Sequence, residues 1–169
     1  MTLQGTRYAP IITTADVTDH IHAGLGYEVS GTGVFAAAGT YAFTGTTGST
    51  PIHFHGFNLT SSAGPVTMRL IEAPTVSVAG TAVSAIQKNR SSTNVTSMVV
   101  KQGATVSGGT VLGIRMIHAV GGGAHTEGGA NAFSGEWILK PNTVYAITIE
   151  AGTALTWSAV FHWYELAIK

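Results

Sequence analysis

The chain has 169 residues, of which 44% are hydrophobic and 9% charged, with eight basic side chains against eight acidic ones, whereas an ordinary soluble domain devotes about 25% of its residues to charge. Its length suits one domain with a sizeable core, its scattered Lys and Arg leave no electrostatic footprint for nucleic acid or anionic lipid, and its lack of Cys removes disulfides, thiolate ligands and a Cys nucleophile together. With 24 Thr, 12 Ser and 22 Gly, the exposed positions are mostly hydroxyl and backbone, a surface suited to packing against other protein copies.

The first segment, MTLQGTRYAP, lacks the apolar core of an export signal, and no run approaches the ~18 apolar residues of a membrane span; a soluble protein without such a signal is expected. Residues 1–24 alternate poorly, contain Pro10 and the polar TTADVTDHIHAG, and are expected to form an extended N-terminal arm that orders against a partner. From residue 25 to residue 169 apolar residues recur with a period of two in short segments, broken every ten residues or so by Gly, Pro, Asn and Ser. That pattern predicts an all-β fold, a single antiparallel β-sandwich. The expected strands are Gly26–Ser30, Gly33–Ala38, Tyr41–Thr44, Ile52–Leu59, Val66–Ala73, Val76–Val78, Val95–Lys101, Thr110–Val120, Trp137–Leu139, Val144–Ala151 and Ala154–Ile168.

Within Val66–Ala73, Val66, Met68 and Leu70 alternate with Thr67 and Arg69, and in the later strand Tyr145, Ile147 and Ile149 alternate with Thr148 and Glu150, as half-buried strands require. Trp137, Trp157 and Phe161 join them as expected core. The stretch EWILKPNTVYAITIEAGTALTW reads as a hairpin series turning at Lys140–Thr143 and Glu150–Thr153, so sequence neighbours there are expected to be sheet neighbours. Ala82, Ala85 and Ile86 fall at helical spacing, but Gly80 and β-branched neighbours oppose a helix. The glycine-rich Ala119–Gly135 reads as a long loop. No repeat of solenoid or propeller length recurs.

Candidate chemistry is sparse. His53 and His55 lie one residue apart on one face of an expected strand, a spacing that serves zinc or iron when a third ligand arrives from elsewhere. The pair is similar to half of the first motif of the cupin family, with Gly48 ahead of it, but Leu59 and Thr60 stand where that motif needs Glu, and the second cupin motif is not found. Two imidazoles alone hold zinc poorly in water, so the two histidines are expected to form an outward row beside Phe57, with Ile52 and Phe54 packed inside. His20 and His22 repeat the spacing in the expected arm beside Asp16 and Asp19, where local hydrogen bonding explains them. His118, His125 and Glu127 fall on or near the glycine loop, where nothing excludes water. No Gly-x-Ser-x-Gly elbow and no phosphate-binding glycine motif occurs. On the last strand Trp157, Phe161 and Trp163 share one face, with His162 and Tyr164 on the other, and aromatics so placed read as core rather than as a sugar-stacking platform. No catalytic, cofactor or metal site is assigned, and an enzyme is not expected.

Several stretches taken together, HIHAGLGYEVS, VTMRLIEAPTVSVAGTAV, KNRSSTNVTSMVVKQGATV, AVGGG, GEWILKPNTVYAITIEAGTA and FHWYEL, resemble a family of small virion proteins of tailed bacteriophages that decorate or cement the head. The resemblance covers roughly residues 20–165. It implies a jelly-roll-like sandwich on the outer surface of a capsid, made in the host cytoplasm during assembly, with the major capsid protein and further copies of itself as partners, a homotrimer before a homodimer. A head-fibre, tail-associated or carbohydrate-binding virion module is the alternative. It also implies that Glu72-Ala73-Pro74 close a strand, that Asn89-Arg90 and Asn94 lie in a long connection, and that Trp137 with Lys140–Thr143 and Tyr145 open the terminal hairpins.

Overall fold

The structure, a computed structural model, describes residues 16–117, 125–127 and 136–166. Among these, a helix α1 (Asp16–His22) precedes the strands β1 (Gly26–Phe35), β2 (Gly39–Thr46), β3 (Ile52–Ser61), β4 (Val66–Glu72), β5 (Thr75–Val78), β6 (Thr81–Val83), β7 (Ile86–Gln87), β8 (Val99–Gln102), β9 (Thr105–Ser107), β10 (Thr110–Ile117), β11 (His125–Glu127), β12 (Trp137–Leu139), β13 (Val144–Ala151) and β14 (Leu155–Glu165). The first sheet runs β11-β3-β14-β1-β7, with β12 also on β3; the second runs β10-β4-β13-β2-β8-β6; β5 and β9 form a separate ribbon. Every pairing is antiparallel. The order β1-β14-β3-β11 in one sheet against β2-β13-β4-β10 in the other is the connectivity of a jelly roll, so the expected all-β sandwich is present.

The core lies between the sheets. Ile52, Leu59, Val66, Met68, Leu70 and Ile149 are fully buried, and Phe43 meets Phe161 edge to face at 4.9 Å between ring centroids and Trp157 at 5.9 Å. Burying each such side chain is worth roughly 1.5–3 kcal/mol. Tyr145, Ile149, Trp157 and Phe161 are buried as their alternation predicts, while Trp137 and Ile147 pack against the core from its margin.

The hairpin expectation for residues 136–157 is corrected. β12 pairs β3, β13 pairs β2 and β4, and β14 pairs β3 and β1, so consecutive strands cross between the sheets. Turn residues signal that the chain reverses; they do not say whether the returning strand pairs beside its predecessor or packs across from it. The Lys140–Thr143 turn is held from the other side by β2's end. The Thr47 hydroxyl donates to the Lys140 carbonyl at 2.7 Å and accepts from the Thr143 amide at 2.9 Å, and the Asn142 amide donates to the Gly48 carbonyl.

The extended-arm expectation fails for residues 16–24, which hold a two-turn helix and its cap. The Leu25 amide reaches the His20 carbonyl at 2.9 Å and the Gly24 amide the Ile21 carbonyl at 3.0 Å, with Gly24 at φ 72°, a Schellman closure that favours glycine. The same exit is tied down by Gln87 Nε2 and Asn94 Nδ2, both donating to the Gly24 carbonyl, and by Asn89 Nδ2 donating to the His22 carbonyl. Residues 1–15 lie outside the described residues.

Other elements differ in smaller ways. The two strands expected at 26–30 and 33–38 are one, because Gly31 and Gly33 are not a turn: an added Cβ would stand 2.5 Å from Phe43 Cζ at Gly31 and 2.5 Å from Trp157 Cζ2 at Gly33. The aromatic rings take the space that side chains would need. The segment with helical spacing holds β6 and β7, and β11 lies within the expected glycine loop, on the end of β3. Residues 88–98 do form the long connection, and its end is clamped by Glu165, which is 8% exposed and accepts from the Ser97 amide at 2.9 and 3.0 Å and from the Thr96 hydroxyl.

Gly33→Ala is expected to lower stability by about 1–3 kcal/mol, the usual cost of overpacking a filled core, whereas Gly152→Ala, with nothing within 4 Å of its added Cβ, changes it by less than about 0.5 kcal/mol. Urea unfolding followed by tryptophan fluorescence measures both, and equal midpoints would refute the packing argument.

Candidate functional site

The polar groups of the first sheet's outer face gather under α1. Their arrangement starts from a β-bulge. β3 pairs with β14 as Phe57↔Phe161, Gly56↔His162 and then Phe54↔Trp163, leaving His55 as the extra residue, with Gly56 at φ 142°. One inserted residue resets the alternation. Phe57, expected outside beside the histidines, is therefore buried at 3% exposure and Leu59 at 1%, while His53 and His55 remain on the outer side.

Around that bulge the two histidines part company. His53 Nδ1 hydrogen-bonds the Glu136 carboxylate, whose other oxygen accepts from the Tyr164 hydroxyl at 2.5 Å. The Tyr164 ring lies stacked between two imidazoles, His53 at 4.7 Å and His20 of α1 at 4.3 Å. His55 instead lines a cleft of about 210 Å³ with Ile21, Gly26, Asn58, Lys88, His162 and Tyr164. Glu28 of β1 stands beside this cleft, its Oε2 3.6 Å from His162 Nδ1 and 3.9 Å from Lys88 Nζ. Burial first, then the neighbouring Lys88 charge, holds the His162 imidazolium below the ordinary histidine range, with Glu28 opposing and His55 adding to the depression. His22 is exposed on α1.

A cupin-like centre needs His53, His55 and a third ligand on one metal. Here His53 faces Glu136 and His55 faces the His162 cleft, and among the described residues no three His, Asp or Glu side chains stand together as metal ligands. His118 lies outside the described residues, and His125 and Glu127 stand on β11. Trp157, Phe161 and Trp163 are core, Trp163 with its indole N–H donating to the Thr96 hydroxyl at 3.2 Å. The gap inside the sandwich core, about 40 Å³ among Val29, Phe43, Phe54, Leu70 and Phe161, is apolar and offers a water few polar partners.

Glu28, Lys88, Glu136 and His162 were not readable as a group from the sequence, because the fold brings them in from four separate segments. The only available sign was that His162 and Tyr164 share a strand face, as do His53 and His55.

A second titratable cluster braces the opposite side. The Tyr145 hydroxyl donates to Glu72 Oε2 at 2.9 Å and accepts from the Lys140 amide at 2.9 Å, and Lys140 Nζ reaches Glu72 Oε1 at 2.7 Å. The Lys140 hydrogen bond, then that of Tyr145, holds the Glu72 carboxyl below its usual range. Its members are satisfied by one another, so it acts as a bracket for the 140–143 turn. No protein family, curated protein or solved structure matches the chain.

Burial foremost pushes the Tyr145 phenol up to about 12 from 10.0. Because its folded value is the higher one, its contribution to stability is complete below pH ~10 and is lost as pH rises towards ~12. Stability measured by urea unfolding across that window is expected to fall less steeply in Tyr145→Phe than in the native chain; identical slopes would remove Tyr145 as a cause.

Proposed function

We propose that this chain is a structural component of a tailed-phage virion, a decoration protein that sits on the outer surface of the head and ties neighbouring major capsid subunits together, acting as a homo-oligomer, a trimer in the first instance. Closed cyclic symmetry is the common way to bury a charge-poor surface. The observation that carries the reading is the outer face of the second sheet. On β10 and β8 it exposes Ile114 and Val99, each 54%, and Met116, 44%, while Ala42, Thr44, Ala146 and Thr148 on the strands between them are buried.

Its charges are few. Arg69 and Glu150 neutralise each other through two hydrogen bonds of 2.8 and 3.2 Å, and Thr148 adds a third to Glu150; Lys101 of β8 stands opposite Thr44 on the same face. An antiparallel face whose exposed Ile114, Met116 and Val99 are apolar, and whose Arg69–Glu150 ion pair is already closed, has the composition of an interface core, where charge is depleted. The stretches that carry the resemblance support the reading as well, since their polar residues serve the scaffold: Glu72, Lys140 and Tyr145 in the turn bracket, Gln87, Asn89 and Asn94 at the helix exit, Glu165 on the long connection. On a shell of many copies, a modest binding free energy per copy adds to the assembled state alone.

The test is co-sedimentation of the purified chain with undecorated capsids of the phage that encodes it. The native chain is expected to pellet with the shells, and Ile114→Glu combined with Val99→Glu to stay in the supernatant with its own melting temperature nearly unchanged, as surface substitutions ordinarily leave it. A native chain that never pellets with the shells, or a double variant that binds as well as the native chain, overturns the assignment.

A further inference from the structure

We infer that the cleft between α1 and the outer face of the first sheet is a binding site for a small oxyanion, held by Lys88, His55 and His162 and gated by protonation of the two imidazoles. The inference stands apart from any virion role. It starts from an unfinished set of donors. His55 Nδ1 and His162 Nδ1 are both shut off from solvent and both lack a hydrogen-bond partner, a costly condition for polar atoms in a folded chain. Lys88 Nζ finds its nearest anion, Glu28 Oε2, at 3.9 Å, and His162 finds the same oxygen at 3.6 Å. Both distances exceed a hydrogen bond, so Glu28 balances charge without satisfying either donor.

The space between them is about 210 Å³, far beyond what one water needs and enough for a tetrahedral or carboxylate anion. Ile21 and Tyr164 also line it. Those walls are rigid: α1 is pinned by the Gly24 closure and by the Gln87, Asn89 and Asn94 side chains.

Charge sets the gate. With both imidazoles neutral, Lys88 and Glu28 cancel; with both protonated, the cleft gains two positive charges. The groups standing around it are Asp19 and His20 from α1, Glu28 from β1, His53 and His55 from β3, His162 and Tyr164 from β14, Lys88 and Arg90 from the connection after β7, and Glu136 before β12. Of these, His53 and Glu136 are engaged with each other and with Tyr164, and His20 stacks on the Tyr164 ring; His55 and His162 are the imidazoles that line the cleft itself, and theirs is the protonation an anion there would favour. The low basicity of His162 follows foremost from its burial, and a bound anion opposes it.

The probe is sulfate, whose charge is constant across the range used, titrated at fixed ionic strength against chloride while the histidine ring signals are followed by NMR at about pH 4.5 and about pH 8, the lower value set beneath the ordinary imidazole range because His162 ionises below it. Sulfate is expected to shift the His55 and His162 signals saturably, to bind at least about tenfold tighter at the lower pH, and to raise the His162 pKa by about one unit, as linkage requires of tenfold tighter binding to the protonated form. Lys88→Met is expected to weaken binding about tenfold, and His162→Gln to flatten the pH dependence with the fold intact by circular dichroism. His55→Gln serves as the second variant should His162→Gln fail to fold. Affinity unaffected by Lys88→Met, equal affinity at the two pH values, or shifts spread over every exposed Lys and His without saturation, an adventitious ion only, would each overturn the inference.

Discussion

β3 can present His53 and His55 to one side and return Phe57 and Leu59 to the core only because one extra residue interrupts its ladder with β14 at Gly56↔His162. Strict alternation carried on from Ile52 and Phe54 would turn Phe57 and Leu59 to solvent and bring Asn58 and Thr60 inside, since a shift of one residue exchanges the two faces of a strand. Two large apolar side chains at roughly 1.5–3 kcal/mol each decide the matter in favour of the bulge. Gly56, at φ 142°, is the residue type that adopts such a backbone without strain. The same insertion turns His55 towards His162 and away from the Glu136 that holds His53. The cleft and the separation of the two histidines are thus consequences of keeping the core apolar.

A second economy follows from having so few charges. Glutamates are not spread over the surface as solvating groups; each one described with its side chain has an assigned neighbour. Glu165 is buried on the Ser97 amide, Glu72 closes the Lys140 and Tyr145 bracket, Glu150 pairs with Arg69, Glu136 joins His53 to Tyr164, and Glu28 stands between Lys88 and His162. Four of the five make hydrogen bonds from these positions, the stronger class of such bonds when one partner is charged. Glu28 is the exception, and its long distances are what distinguish the cleft from the other clusters. Hydration of the remaining surface falls to threonine, serine and backbone, which cost little to desolvate against another protein compared with ionised side chains.

What the sequence made legible was periodic. Val144–Ala151 and Trp137–Leu139 end where their alternation ends, and the inward faces of β4 and β14 follow their hydrophobic positions. What it concealed depended on contacts distant in the chain. Gly31 and Gly33 look like a turn until Phe43 and Trp157 are seen to occupy the missing side chains' space. α1 is too short for a helical stripe, and its stability comes from the Gly24 cap and from amide side chains more than sixty residues away in Gln87, Asn89 and Asn94; isolated helices of that length are marginal in water. The crossing of β12, β13 and β14 between sheets was hidden because a turn's residues encode a reversal and the strand's faces encode burial, while neither encodes which sheet receives the strand. The bulge in β3 left only Gly56 as a trace.

The two outer faces therefore carry different chemistry for a structural reason. The first sheet is covered by α1, so its outward side chains meet a roof, and polar groups caught beneath it must be paired or balanced. The second sheet has no helix over it among the described residues; its outward Ile114, Met116 and Val99 stand exposed, with Ala42, Thr44, Ala146 and Thr148 buried between them and the Arg69–Glu150 ion pair closed. Opposite faces of a sandwich point in opposite directions. A molecule attached through its second sheet, as proposed, would hold the histidine cleft on the side away from the shell, and a substitution in the cleft would leave the attachment face unchanged. The proposed attachment and the proposed ion binding would be separable by substitution, because the hydrophobic core, two side-chain layers thick, stands between the two faces.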